Sequence, residues 1–170
     1  MVAYQRYKKK IIKKTTLFFG EGLLDSLFLE YLKSIYSSKK IHITIRRGRG
    51  GDAKKIVKDC IKVFGDFKKR AVLLDNDKPA KEVLDARKIA KENNIIVIEN
   101  TPCLEALFLS ILDKDYENKN TKWYKKEFEK HHKKEIQSFY DFNKIFPKEI
   151  IEEKREKISN LKLIIETLTK

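Results

Sequence analysis

Apolar positions along the chain switch repeatedly between a short continuous or alternating pattern and helical spacing. Residues 15–20 (TTLFFG) are β-branched and aromatic and end in glycine, which predicts a strand. Leu24, Leu27, Phe28, Tyr31, Leu32 and Ile35 then recur on one face of a helix. Residues 41–45 (IHITI) alternate as a second strand. They are followed by a helical stripe of Ile56, Val57, Cys60, Ile61 and Phe64, with Asp52 as its N-cap and Gly65 as its stop. Residues 71–74 (AVLL) form an unbroken apolar run, the pattern of a strand buried on both faces. Pro79 opens a helix carrying Val83, Leu84 and Ala90, and Asn93-Asn94 breaks it. Residues 95–98 (IIVI) are a further buried strand, followed by a stripe of Leu104, Leu107, Phe108, Ile111 and Leu112.

Strand and helix thus alternate four times over residues 15–112. That order predicts an α/β domain with a mostly parallel four-stranded sheet, flanked by helices through right-handed crossovers. Two further segments are expected, a basic arm over 1–14 and a helical extension over 113–170. In the extension, Trp123, Phe128, Phe139, Tyr140, Phe142 and Phe146 fall among lysines, and they read as a cap over the core rather than as base-stacking residues. His131 and His132 are adjacent, so a helix would point them apart. After Pro147 a last helix is predicted, with Ile151, Ile158, Leu161, Ile165 and Leu168 near heptad spacing. It would dock on its own domain or pair with a second copy as a homodimer.

The chemistry concentrates where strands end. Ligands of parallel sheets sit beyond the carboxyl ends of the strands, and the 71–74 strand runs straight into Asp75-Asn76-Asp77. Side chains at i and i+2 of an extended chain share a side, so the two aspartates are expected to converge, where a hard cation such as Mg²⁺ or Mn²⁺ would relieve their repulsion. A plain Asp-Asn-Asp surface turn is the competing interpretation. Glu21 follows the first strand and Glu105 sits in the first turn after the fourth, where the helix dipole alone would also favour an acid. After the second strand comes a basic glycine-rich loop, Arg46-Arg47-Gly48-Arg49-Gly50-Gly51. It lacks the Gly-Lys-Ser/Thr ending of a nucleotide-hydrolase phosphate loop, and is either a contact to a phosphate backbone or a turn.

Charge points to the partner. The 170 residues carry a formal +14, of which residues 1–112 hold +11, and 38% of residues are charged. A basic surface around an acidic cluster suits a polyanion, DNA or RNA. Cys60 and Cys103 match neither a metal-ligand spacing nor a disulfide framework. No apolar run has the length of a membrane span and no signal-type core follows the basic start, so a cytoplasmic protein without membrane contact is expected.

The series strand-Glu21-Gly22-helix, strand-Asp75-Asn76-Asp77 resembles the Toprim catalytic domain of topoisomerases, primases and several nucleases. The run Asn100-Thr101-Pro102-Cys103-Leu104-Glu105 is similar to the Asn-Pro-Cys-Phe-Glu signature of RloB-like Toprim proteins, with Thr101 inserted and Leu104 replacing an aromatic. The resemblance covers roughly residues 15–112. It implies a Toprim-like, Rossmannoid fold, Glu21 as general acid/base of phosphoryl transfer, and Asp75 and Asp77 as ligands of Mg²⁺ or Mn²⁺ with Glu105 nearby. Gly22, Arg46, Arg47, Gly48, Arg49 and Lys78 become candidate substrate contacts. Asp25-Ser26 stands where relatives carry Thr-Glu, so a second acid from the first helix is either Asp25 or absent. Lys78-Pro79 replaces the glycine of primases and topoisomerases, which favours the nuclease branch. Such proteins are associated with anti-phage and restriction-type loci, so an ATPase or another defence-system component is a candidate partner.

The expected activity is therefore a metal-dependent endonuclease acting as a defence effector. The alternatives are a nucleic-acid-binding or partner-regulated Toprim module without chemistry of its own, and a magnesium-binding phosphate or nucleotide protein of receiver type.

Overall fold

Four apolar segments pair edge to edge in a computed structural model that describes residues 14–170 apart from 39, 115 and 133–135. The strands are β1 (Lys14–Gly20), β2 (Ile41–Arg47), β3 (Lys69–Asp75) and β4 (Ile95–Asn100), in the order β2-β1-β3-β4. All three pairings are parallel, as the alternation with helices requires. The expected basic arm lies, except for Lys14, outside the described residues.

The helices divide by the direction of travel. α1 (Leu23–Tyr36) carries the chain from β1 outward to β2. α2 (Ala53–Lys62) brings it back across the sheet to β3, and α3 (Ala80–Glu92) onward to β4. Crossovers of one hand that run in opposite directions must lie on opposite faces. Accordingly Phe28, Leu29 and Leu32 of α1 pack with Phe18, Ala71, Leu73 and Ile98 on one face. On the other face Ile56, Val57 and Cys60 of α2 join Ala86 and Ala90 of α3 against Leu17, Phe19, Val72 and Leu74. The chain reverses between β1 and β3, so a topological switch point opens between their carboxyl ends.

The C-terminal segment shares the first of these two cores. It comprises α4 (Leu104–Ile111), α5 (Thr121–His132), a 3₁₀ turn (Phe139–Asp141), α6 (Phe142–Ile145), α7 (Lys148–Arg155) and α8 (Ser159–Thr169). Its aromatics close over α1: the ring of Phe108 lies 4.8 Å from that of Phe28, 4.9 Å from that of Phe128 and 5.3 Å from that of Phe146. The expected cap is therefore present. Tyr140 is its exception and stays exposed.

Three expectations from periodicity are corrected. Phe64 is not part of the α2 stripe: the helix ends at Lys62, and Phe64 stands fully exposed in the turn before Gly65. Arg46 and Arg47 are not in the loop, because β2 continues through Arg47. The last helix is two helices with a break at 156–158, so no continuous heptad seam exists. Ile151, Leu161, Ile165 and Leu168 are buried in their own domain and Ile158 is half-buried, so the stripe docks mainly on its own domain. Among the described residues no helix is long and apolar enough to cross a membrane.

Candidate active site

β1 ends in Gly20 because α1 starts almost on top of it: a Cβ there would lie 2.7 Å from that of Asp25. This close turn puts Glu21 at the strand end and Asp25 in the first helical turn, where Asp25 Oδ2 accepts the Gly22 N–H at 2.9 Å. Glu21 Oε2 in turn accepts the main-chain N–H of Asp75 at 3.2 Å, across the switch point. Asp75 Oδ1 accepts the N–H of Leu104, the first residue of α4, at 2.9 Å. Glu105 follows one residue later.

Three strand ends and two helix starts thus gather Glu21, Asp25, Asp75 and Glu105. Their proximity is felt in protonation. Burial, then the charges of Asp25, Glu105 and Glu21, push the Asp75 carboxyl up to about 8, with Lys125 opposing. Burial pushes the Asp25 carboxyl up to about 7, helped by Glu21 and Glu105 and opposed by the Gly22 N–H. Oδ1 of Asp25 and Oε2 of Glu105 are buried with no hydrogen-bond partner among the described residues. Buried carboxylate oxygens without a donor are costly, and carboxylate oxygens are the donor chemistry that Mg²⁺ and Mn²⁺ take. The donor set therefore fits a hard divalent cation. Among the described residues no three of these side chains are drawn into one coordination sphere.

Two lysines answer the negative charge. Lys78 Nζ lies 3.2 Å from Glu21 Oε1 and 3.6 Å from Asp77 Oδ1. Partial burial works against its charge, but Glu21 and Asp77 prevail and raise the ammonium pKa. Lys125 Nζ, from α5, lies 3.5 Å from Asp75 Oδ2. Its pKa is also raised, against the cost of burial, by Glu105, Asp75 and Asp77.

Asp77 stands apart from the buried group. β3 ends at Asp75, Asn76 lies in a bend and Asp77 in irregular backbone, so strand alternation no longer governs where the two aspartates point. Asp77 pairs with Lys78 at the rim instead, and its charge is felt by Lys125. Of the predicted substrate contacts, Gly22, Arg47, Gly48 and Arg49 line one open cleft of about 620 Å³, beside the exposed Leu23. Gly48 is held against the site, since its N–H donates to Gly20 O at 2.9 Å and a Cβ there would lie 3.0 Å from Glu21 O. Arg46 is exposed one position earlier on the edge strand.

Lys125 has no counterpart in the sequence argument, because only folding of α5 over the sheet brings it to Asp75. Asn100 is also new as an individual residue: it is fully buried, and neither its Oδ1 nor its Nδ2 has a partner among the described residues. The Cys103 thiol is pushed up to about 12 by burial and by Glu105, which makes it a poor nucleophile. Comparison of the chain with protein-family models, with curated proteins and with solved structures finds no match.

Proposed function

We propose that the protein is a Toprim-like nuclease that hydrolyses phosphodiester bonds of DNA or RNA with a divalent cation, Mg²⁺ or Mn²⁺. The observation that carries this reading is the convergence of Glu21, Asp25, Asp75 and Glu105 at the switch point, with two buried oxygens unpartnered among the described residues. Asp75 with Asp25 and Glu105 would hold the cation, and Asp77 would add negative charge at the rim beside Lys78. The bound ion supplies charge neutralisation on the scissile phosphate and a more acidic water.

The chain's own groups supply the rest. Glu21 is oriented by the Asp75 N–H and Lys78, and it takes the proton of the attacking water, while the oxygen that leaves as the P–O bond breaks is protonated from solvent. Lys78 and Lys125 place positive charge beside the phosphate oxygens, where charge develops in the transition state. Arg47 and Arg49 hold the flanking backbone in a chain of formal charge +14. The test is incubation of mixed DNA and RNA with Mg²⁺ or Mn²⁺, comparing the wild type with Glu21→Gln. Cleavage by both, or by neither, rejects the assignment of Glu21.

A second reading has one observation in its favour. Lys78 and Lys125 already neutralise part of the acid cluster, as they would in a nucleic-acid-binding module that needs a partner, such as an ATPase of a defence system, to act. Nucleic-acid binding without metal-dependent cleavage by the isolated chain selects that module.

A further inference from the structure

We infer that the cleft between the end of β4, α4 and the first turn of α8 is a subsite for a phosphate group, on the far side of the acidic cluster from Arg47 and Arg49. The cleft has a volume of about 320 Å³, and Glu99, Asn100, Thr101, Ser110, Ser159 and Asn160 contribute its polar lining, the Asn160 side-chain amide donating to the Glu99 carbonyl. Its floor is the β4 end that pairs with the Asp75 end of β3.

Two independent features point to an anion. The first is α8, eleven residues long, which begins at Ser159 after an Ile158 N-cap that supplies no side-chain hydrogen bond. The first of its N–H groups to reach a carbonyl four residues back is that of Lys162, on Ile158 O. Those of Ser159, Asn160 and Leu161 come before it and have no helical acceptor. Their partial positive charge favours an oxyanion. The second is Asn100. Alternation along β4 sends Glu99 to α3, where Arg87 Nε binds it at 2.6 Å, and turns Asn100 towards α4 and α8. Asn100 lines the same cleft, and its amide is fully buried and unpartnered among the described residues, a donor that an anion seated there would satisfy. The acids nearby do not repel an anion there: Glu99 is paired with Arg87 and Asp113 with Lys154, and Lys157 adds charge at the adjoining mouth.

Strands of a sheet are about 4.8 Å apart. Arg47 on β2 and this cleft on β4 therefore bracket the acids of β1 and β3 across about 14 Å of one rim. A nucleic-acid strand laid along that rim would place one phosphate on each side of the scissile one. The polymer source of the phosphate rests on the nuclease reading; the phosphate chemistry of the cleft does not.

Amide NMR of the full chain, titrated with inorganic phosphate at constant ionic strength, tests the site. Saturable shifts of the Ser159, Asn160 and Leu161 amides are expected. Ser159→Asp puts a carboxylate in the first turn of α8, where it supports the helix but excludes an anion, and it should abolish the shifts. Asn100→Leu should weaken phosphate about tenfold or more, as loss of a hydrogen bond to a charged group does. Absent or unsaturable shifts in the wild type overturn the site, whatever the protein cleaves. Binding of an oligodeoxythymidylate without divalent cation separates the sources. If Ser159→Asp weakens it along with phosphate, the ligand is a backbone phosphate. If only phosphate binding is lost, the polymer source is wrong and the cleft takes a free phosphate or monoester. A protein that binds phosphate here yet cleaves nothing with Mg²⁺ or Mn²⁺ retains the subsite and loses the nuclease assignment.

Discussion

Asp75 Oδ1 accepts the main-chain N–H of Leu104 at 2.9 Å, so the carboxylate that ends β3 also caps the start of α4. One side chain thereby fixes the position of Glu105 and, once it gives up the proton that burial helps it keep, adds to the site's negative charge. Structure and chemistry can be separated at this residue.

Asp75→Asn keeps an oxygen for the Leu104 N–H and removes the charge, whereas Asp75→Ala removes both. The asparagine variant should unfold at a higher temperature than the alanine variant, by an amount equivalent to about 1 kcal/mol, the usual worth of a helix-start acceptor. Both should lose cleavage and cation affinity. Equal melting temperatures for the two would deny the capping role.

Glu21→Gln should lower cleavage by about 10²–10⁴-fold, the usual cost of losing one acid/base group. Nucleic-acid binding and most cation affinity should survive, because the amide preserves size and can still accept the Asp75 N–H. Single-turnover cleavage alongside cation titration reads the two properties separately, and parallel loss of both would reassign Glu21 to cation binding.

The raised carboxyl groups make stability depend on pH in a defined direction. Asp25 and Asp75 titrate near 7 and 8 in the folded protein against an ordinary value of 3.8, so between those limits the folded chain binds more protons than the unfolded one. Stability from these groups is then full below 3.8 and is lost as pH rises to about 8. In metal-free buffer the melting temperature should fall across that window, and Asp25→Asn should flatten the fall. Mg²⁺ should raise the melting temperature more at the alkaline end, where it no longer competes with protons for the same oxygens. A cation effect independent of pH would contradict a site built on these two acids.

Arg47→Ala with Arg49→Ala should weaken nucleic-acid binding evenly across sequences and lower the salt slope by about 2, one for each lost phosphate contact. Binding isotherms at several salt concentrations measure both quantities. An unchanged slope would remove the Gly48 loop from the binding surface.

Much of this protein is legible before folding, because local rules decide it. Four apolar runs separated by helical stripes specify a parallel sheet, and the strand ends already mark Glu21, Asp75 and Glu105 as neighbours on one rim. Asp52 caps α2 as its residue type predicts, with its side chain accepting the Lys54 N–H at 2.7 Å. Periodicity fails where it outruns the element that generates it. Phe64 continues a helical spacing past the end of its helix, Asp77 continues a strand alternation past the end of its strand, and Ile158 spans a break between two helices. Lys125 at Asp75, Asn100 beneath α4 and the open first turn of α8 belong to a different class. Each is a contact between elements distant in sequence, and no local pattern records it. The aromatic packing of Phe28, Phe108, Phe128 and Phe146 decides where α5 lies, and that packing, rather than any motif, brings Lys125 to the acids.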